Sequence, residues 1–169
     1  MMTLHMGRYG MGVKTMREIK FRGKRLDNGE WVYGNLLKCE HKDSDSVYII
    51  PFVTNGSFTI NTLMLNFISP CYAVDPATVG QYTSLKDCNG KEIYEGDIVE
   101  AKDPYKYNSK EIFYTCEVVF TEGAAFMLKH TYENWGTVGI RYFGLRDMEL
   151  EVIGNIYENP ELLEGDGEE

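Results

Sequence analysis

Long apolar runs are missing from this 169-residue chain. The best, Leu63 to Ile68, is broken by Asn66 and falls far short of the ~20 residues that a bilayer span requires. No membrane partner is expected. The first residues also lack the ~7 to 15 apolar positions of a secretory signal, because Gly, Arg, Lys and His interrupt them, so a cytoplasmic protein is expected. His5, His41 and His130 stand apart without an HxxxH pair, and Cys39, Cys71, Cys88 and Cys116 never form a CxxC pair. Zinc-ribbon and redox spacings are thereby absent, and reduced thiols with no metal or cofactor are the expectation. Asn55-Gly56-Ser57 fits the glycosylation pattern, but without a secretory signal it has no consequence.

Basic residues are also scarce. Seventeen Lys and Arg face 26 Asp and Glu, for a net charge of −9. Glu161 to Glu169 hold five of the acids and no base, and the body from Met16 to Pro160 carries −6. An acidic body is a poor phosphate binder, since phosphate contacts need clustered cations. Nucleic acid is therefore disfavoured as a partner, although a local basic patch survives. Helical periodicity is absent over any long window, and no repeat of fixed period appears.

What the chain does have is aromatic and apolar content in short runs. It is 43% hydrophobic, with 12 Tyr and 8 Phe, a bias toward side chains that suit pleated, half-buried surfaces. Residues 1–15 are rich in Met and Gly without a period and read as a flexible leader. Their Gly7, Gly10, Gly12, Lys14 and Thr15 nearly spell a phosphate loop, but Val13 breaks the register. From Ile19 to Leu37, two strand-like runs flank Asp27-Asn28-Gly29, whose Asn-Gly predicts a β-hairpin with Trp31 and Tyr33 on one face of its second strand. Ser46 to Val53 reads as a third strand, and Ser57 to Val74 as one or two more.

Asp75-Pro76-Ala77 has the chemistry of a helix start, a capping carboxylate followed by a proline. It divides the chain into an N-terminal β subdomain, residues 16–75, and a C-terminal one, residues 76–160, with an acidic tail over 161–169. The second part opens with Val79 to Leu85, turns at Asn89-Gly90 and runs through Ile93 to Ala101. Ile112 to Thr121 and Ala124 to His130 form a predicted hairpin around Glu122-Gly123, and Glu149 to Tyr157 supplies a closing strand. Asn159-Pro160 starts at most a short helix. The fold class expected is all-β, a barrel or compact roll with only short helical turns.

Several stretches of the second part, Val79-Gly80-Gln81-Tyr82-Thr83, Asn89-Gly90-Lys91-Glu92-Ile93-Tyr94-Glu95-Gly96-Asp97-Ile98-Val99 and Val152-Ile153-Gly154-Asn155-Ile156-Tyr157-Glu158-Asn159-Pro160, carry a recognisable pattern. Together with Arg17-Glu18-Ile19-Lys20-Phe21-Arg22 near the start, they resemble the YopX family of phage and prophage proteins. Beside the hairpin-rich N-terminal part read above, the resemblance implies an all-β protein whose C-terminal part forms an SH3-like roll, encoded by a mobile element. It implies no catalytic residues.

The chemistry-bearing candidates are few. Arg17, Lys20, Arg22, Lys24 and Arg25 form the one basic cluster, interleaved with Phe21 and followed by Trp31 and Tyr33, a composition that nucleic-acid surfaces use and that the outer face of an edge hairpin also uses. Tyr105, Tyr107, Tyr132 and Trp135, with Tyr142 and Phe143, lie in the less regular parts of the second half, where aromatics either anchor a partner or plug a small barrel. Asp97 reads as a turn carboxylate accepting from nearby amides, or else as a carboxylate lining a site. Cys116 and His130 meet across the predicted hairpin, yet nothing marks an orienting third group. Asp43-Ser44-Asp45-Ser46 lacks the rest of a calcium loop, and strand alternation separates Glu92, Glu95, Asp97 and Glu100. The expected function is a non-enzymatic accessory protein that binds another protein. A nucleic-acid factor using the basic cluster is the alternative, an enzyme with an undeclared site is a third reading, and self-association through sheet edges is a companion expectation.

Overall fold

The computed structural model describes residues 17–40, 45–51, 70–104, 110–134, 137–145 and 148–164. They form eleven strands in two antiparallel sheets, with short 3-10 turns at Pro76–Thr78 and Pro160–Leu163. The first sheet takes β1 (Phe21–Lys24), β2 (Trp31–Glu40), β3 (Asp45–Pro51), β4 (Tyr72–Ala73), β5 (Gly80–Lys86) and β6 (Glu92–Tyr94), in the order β4-β3-β2-β1-β5-β6. The second takes β7 (Asp97–Lys102), β8 (Phe113–Phe120), β9 (Phe126–Asn134), β10 (Thr137–Gly144) and β11 (Glu149–Asn155), in the order β10-β9-β8-β7-β11. No described helix is long and apolar enough to cross a membrane.

Local chemistry sets the hairpins. Gly29 closes the β1–β2 turn at φ +74°, its amide donating to Arg25 O at 2.9 Å, a left-handed conformation that glycine adopts without a Cβ clash. Asp75 caps the first 3-10 turn, its Oδ1 accepting from the Ala77 amide at 3.0 Å, as its place before Pro76 predicts. β8 and β9 pair around the Glu122-Gly123 turn, which is the hairpin expected there.

Three features differ from the sequence reading. Ile93 to Ala101 does not run as one segment: it breaks at Gly96 (φ +79°), so β6 ends in the first sheet and β7 begins the second. β5 and β6 accordingly lie beyond the boundary read at residue 76 yet complete the N-terminal sheet. Thr137–Gly144, read as irregular, is the strand β10, paired along its whole length with β9. Of Ser57 to Val74, expected to hold one or two strands, residues 57–69 lie outside the described residues, and β4 at Tyr72–Ala73 pairs with β3.

Two apolar clusters sit under these sheets. Val32, Ile49 and Val74 form the smaller, with Phe21, Leu36 and Val79 packed against it. Val99, Cys116, Val118, Leu128, Leu150 and Val152 dominate the larger, and Ile93 of β6 is buried in it. One strand of the first sheet therefore inserts a side chain into the core of the second, removing its apolar surface from water at roughly 25 cal/mol per Å².

Close packing of β2 on β3 requires glycine at position 34. A Cβ there would stand 2.0 Å from Ile50 O, a backbone atom that cannot swing aside. Gly34→Ala is expected to lower unfolding free energy by about 1–3 kcal/mol, the usual range for overpacking. A urea midpoint equal to that of the wild type would show that β2 and β3 are less tightly joined.

Candidate functional site

The basic cluster of the sequence lies along β1, where alternation sends Arg22 and Lys24 to one face. Cross-strand register sets Arg22 opposite Tyr33 and Lys24 opposite Trp31. Tyr82 of β5 and Tyr94 of β6 complete an aromatic row, with Tyr33–Tyr94 and Tyr82–Tyr94 centroids 5.5 and 5.4 Å apart. Cation and ring alternate as expected for cation–π contacts: Lys20 Nζ lies 4.5 Å from the Tyr82 centroid, and Arg22 Cζ lies 4.7 Å from Trp31 and 5.2 Å from Tyr94.

Four of the five cations meet an acid from far along the chain or from a turn. Lys20 Nζ donates to Glu92 Oε1 and lies 3.3 Å from Glu18. Arg22 Nη1 donates to Asp97 Oδ1 at 2.5 Å and its Nη2 to Glu95 O at 3.1 Å. Lys24 Nζ is 3.0 Å from Glu158, whose Oε1 also accepts from Trp31 Nε1 at 3.1 Å. Arg25 forks onto Asp27 at 2.9 and 2.6 Å and stacks on Tyr72. Arg17 donates to Ser84 Oγ at 3.4 Å and lies over the Phe126 ring.

Arg22 and Asp97 are the buried heart of this joint between the sheets, at 6% and 1% exposure. Asp97 is the turn carboxylate anticipated from sequence, since its Oδ2 accepts from the Tyr94 amide at 2.7 Å. Burial pushes its carboxyl above the ordinary range, against the pull of Arg22 and that amide. Arg22 Nε has no hydrogen-bond acceptor among the described residues, and the flanking Trp31 and Tyr94 rings face the guanidinium instead. Burial and the neighbouring Glu92, which accepts from the Tyr94 hydroxyl at 2.8 Å, raise the Tyr94 phenol.

A second carboxylate, not singled out from sequence, ties the sheets together at the other end of β6. Asp87 Oδ1 accepts from the Asn89 and Lys91 amides at 2.9 and 2.8 Å, which shapes the turn at Gly90, and its Oδ2 accepts from Val152 N of β11 at 3.0 Å. Burial raises its carboxyl, but the three amides outweigh burial and hold it below the ordinary range. An aspartate two residues before Asn-Gly is a known turn signal; its long-range partner on β11 leaves no local trace.

The remaining candidates fall into two groups. Tyr105, Tyr107 and Trp135 lie outside the described residues, as do residues 1–16 and 41–44, and of Tyr132 only the backbone in β9 is described. Cys116 and His130 sit on adjacent strands but are turned to other partners. Cys116 Sγ is 3.7 Å from Tyr114 O, His130 Nδ1 is 3.0 Å from Thr115 O, and burial pushes the thiol up to about 12. A thiol so raised stays protonated at neutral pH.

Surface apolar groups accompany this engaged polar row. On β2, Tyr33 and Leu37 are 46% and 41% exposed on the same face as Trp31, and on β8 Phe113 and Phe120 are about half exposed. Among the described residues no group of three or more His, Cys, Asp or Glu is placed to hold a metal ion.

The chain is 28% identical over 116 residues to the SPbeta prophage-derived uncharacterized protein YopX of Bacillus subtilis strain 168, an alignment covering 66% of this chain and 79% of that protein. The crystal structure of protein EF1440 from Enterococcus faecalis matches 88% of this chain and 99% of its own at 23% identity, with a TM-score of 0.34, too loose a likeness to bear on the fold. The YopX protein family model matches residues 20–164. That stretch begins at Lys20, the first cation of the row, and ends past the last 3-10 turn, so it takes in both sheets and the joint between them: the chain belongs to the YopX family.

Proposed function

We propose that the chain is a phage- or prophage-encoded accessory protein of the cytoplasm that acts by binding another protein, without catalysis. The observation that carries this reading is the state of the basic cluster. Lys20, Arg22, Lys24 and Arg25 are each held by a carboxylate, while Tyr33, Leu37, Phe113 and Phe120 remain at the surface. A phosphate backbone would have to displace those acids, one of them fully buried, whereas exposed aromatic and aliphatic groups on an acidic body are what a protein partner covers. An SH3-like roll for the second sheet is part of the same reading, supported by a four-strand meander, β7 to β10, closed by β11 beside β7.

Titration with fluorescent single- and double-stranded oligonucleotides at low ionic strength tests the choice. No salt-sensitive binding is expected. Binding that weakens steeply with salt and is lost on Arg17→Ala, the most open member of the cluster, would establish the nucleic-acid alternative instead. A light-scattering mass reads self-association in the same preparation, with a dimer through a sheet edge as the companion expectation.

A further inference from the structure

Beside the start of β11, where the Asp87-Cys88 segment crosses over the strand, the surface carries a hollow of about 410 Å³ floored by Leu85, Leu145, Met148 and Leu150. It adjoins a smaller one of about 170 Å³, and the two share Cys88, Glu149 and Leu150. Leu145 and Leu150 are buried, so the floor is firm, while Phe113 stands 48% exposed as a wall of the smaller part.

The rim is mainly acidic, with Asp87, Glu100, Glu149 and Glu151 against Lys86 and Lys102. Glu151 and Glu100 are direct cross-strand partners on β11 and β7, and Glu149 lies opposite Lys102. Like charges directly opposite one another destabilise a sheet unless a cation comes between them. Among the described residues no ion pair reaches Glu100, Glu149 or Glu151, and Lys102 is 3.0 Å from Glu111 instead. The Cys88 thiol registers this field: some desolvation, then the carboxylates of Glu151, Asp87 and Glu149, hold it above its ordinary range.

We propose that this hollow takes an extended segment of another protein that presents a lysine or arginine next to an apolar side chain, the apolar group on the leucine floor and the cation between Glu100, Glu149 and Glu151. The inference rests on the protein-binding reading and names its partner chemistry. Nucleic acid is repelled by the same rim. A second copy brings the same net charge of −9 to the contact. Addition of a strand to β11 is blocked here, because Leu150 O already accepts from Cys88 N at 2.9 Å and Val152 N already donates to Asp87. Recognition is therefore through side chains, with acid–base complementarity setting the sign of the partner.

The test is an NMR titration of the full chain with a short peptide of alternating lysine and leucine, and a glutamate–leucine peptide as control. Saturable shifts are expected at the amides of Cys88, Lys102, Phe113 and Glu149 to Glu151 with the first peptide alone. The exposed double variant Glu149→Lys/Glu151→Lys, checked for an unchanged urea midpoint, is expected to weaken binding about tenfold or more. Phe113→Ala, which leaves every charge in place, is expected to weaken it less. Unchanged affinity in the double variant, or no shift at all, would overturn the proposal. Shifts confined to Tyr33, Leu37 and Phe120 would also overturn it while leaving the protein-binding reading standing. Salt-sensitive oligonucleotide binding is the separate result that defeats that broader reading.

Discussion

Asp97→Ala is expected to remove about 3–5 kcal/mol of unfolding free energy, the range for deleting one partner of a buried ion pair. The variant leaves the Arg22 guanidinium buried between Trp31 and Tyr94 with no counter-charge, and it takes away the acceptor of the Tyr94 amide. Both groups lose their compensation without regaining water. Replacing the pair together, as Arg22→Met/Asp97→Leu, is expected to recover most of the loss, because two apolar side chains in that volume carry no desolvation penalty. Urea unfolding followed by tryptophan emission measures both, since Trp31 lies on the guanidinium. A loss below about 1 kcal/mol in Asp97→Ala would mean that water reaches Arg22 and that the joint is not a dry one.

Asp87→Ala is expected to cost a comparable amount, about 3–5 kcal/mol, from the Val152 donor left buried and the two turn amides left without their carboxylate. It also has a pH signature. The Asp87 carboxyl lies below its ordinary range in the folded chain, so its contribution to stability is fully present above the unfolded value near pH 4 and is lost as pH falls through the folded value. The wild type is thus expected to lose stability on acidification below about pH 4 more steeply than the variant does. Glu92, held down by Lys20 and Tyr94 against its burial, and Glu158, held down by Asn155 and then Lys24, act in the same direction in both proteins. Asp97, raised by burial, acts in the opposite direction in both. The difference between the two pH curves therefore isolates Asp87, and parallel curves would show that its carboxylate does not hold β11.

Hairpins were legible because their signals are local. Asn28-Gly29 and Glu122-Gly123 each sit between alternating runs, and the chain reverses within a few residues of them. The 3-10 turn at Pro76–Thr78 was legible for the same reason, a capping carboxylate followed by a proline. Gly96 carried a turn signal too, but the apolar residues on both sides read as continuous, and only packing separates Ile93 from Ile98 into different sheets. β10 was missed because Gly139 and Gly144 dilute its pattern; its pairing with β9 supplies the order that local propensity does not.

The candidate site was legible as composition and opaque as electrostatics. Arg17, Lys20, Arg22, Lys24 and Arg25 stand together in the sequence as a basic cluster, and alternation correctly put Trp31 and Tyr33 on one face. Arg25 finds its acid two residues on, at Asp27, but the acids that hold Lys20, Arg22 and Lys24 lie far off, Glu92 being 72 residues from Lys20 and Asp97 75 residues from Arg22. No window of the sequence contains both members of such a pair.

Composition, turn residues and alternation were thus enough for an all-β chain, its first hairpin and its capped turn, because each depends on neighbours a few positions apart, and the family was legible as a resemblance carried by whole stretches of sequence. Which sheet owns β5 and β6, which cations are neutralised and which acids are left at the hollow beside β11 came from the fold alone. These depend on contacts across long loops, where Coulomb and desolvation terms are set by distance and burial rather than by order along the chain.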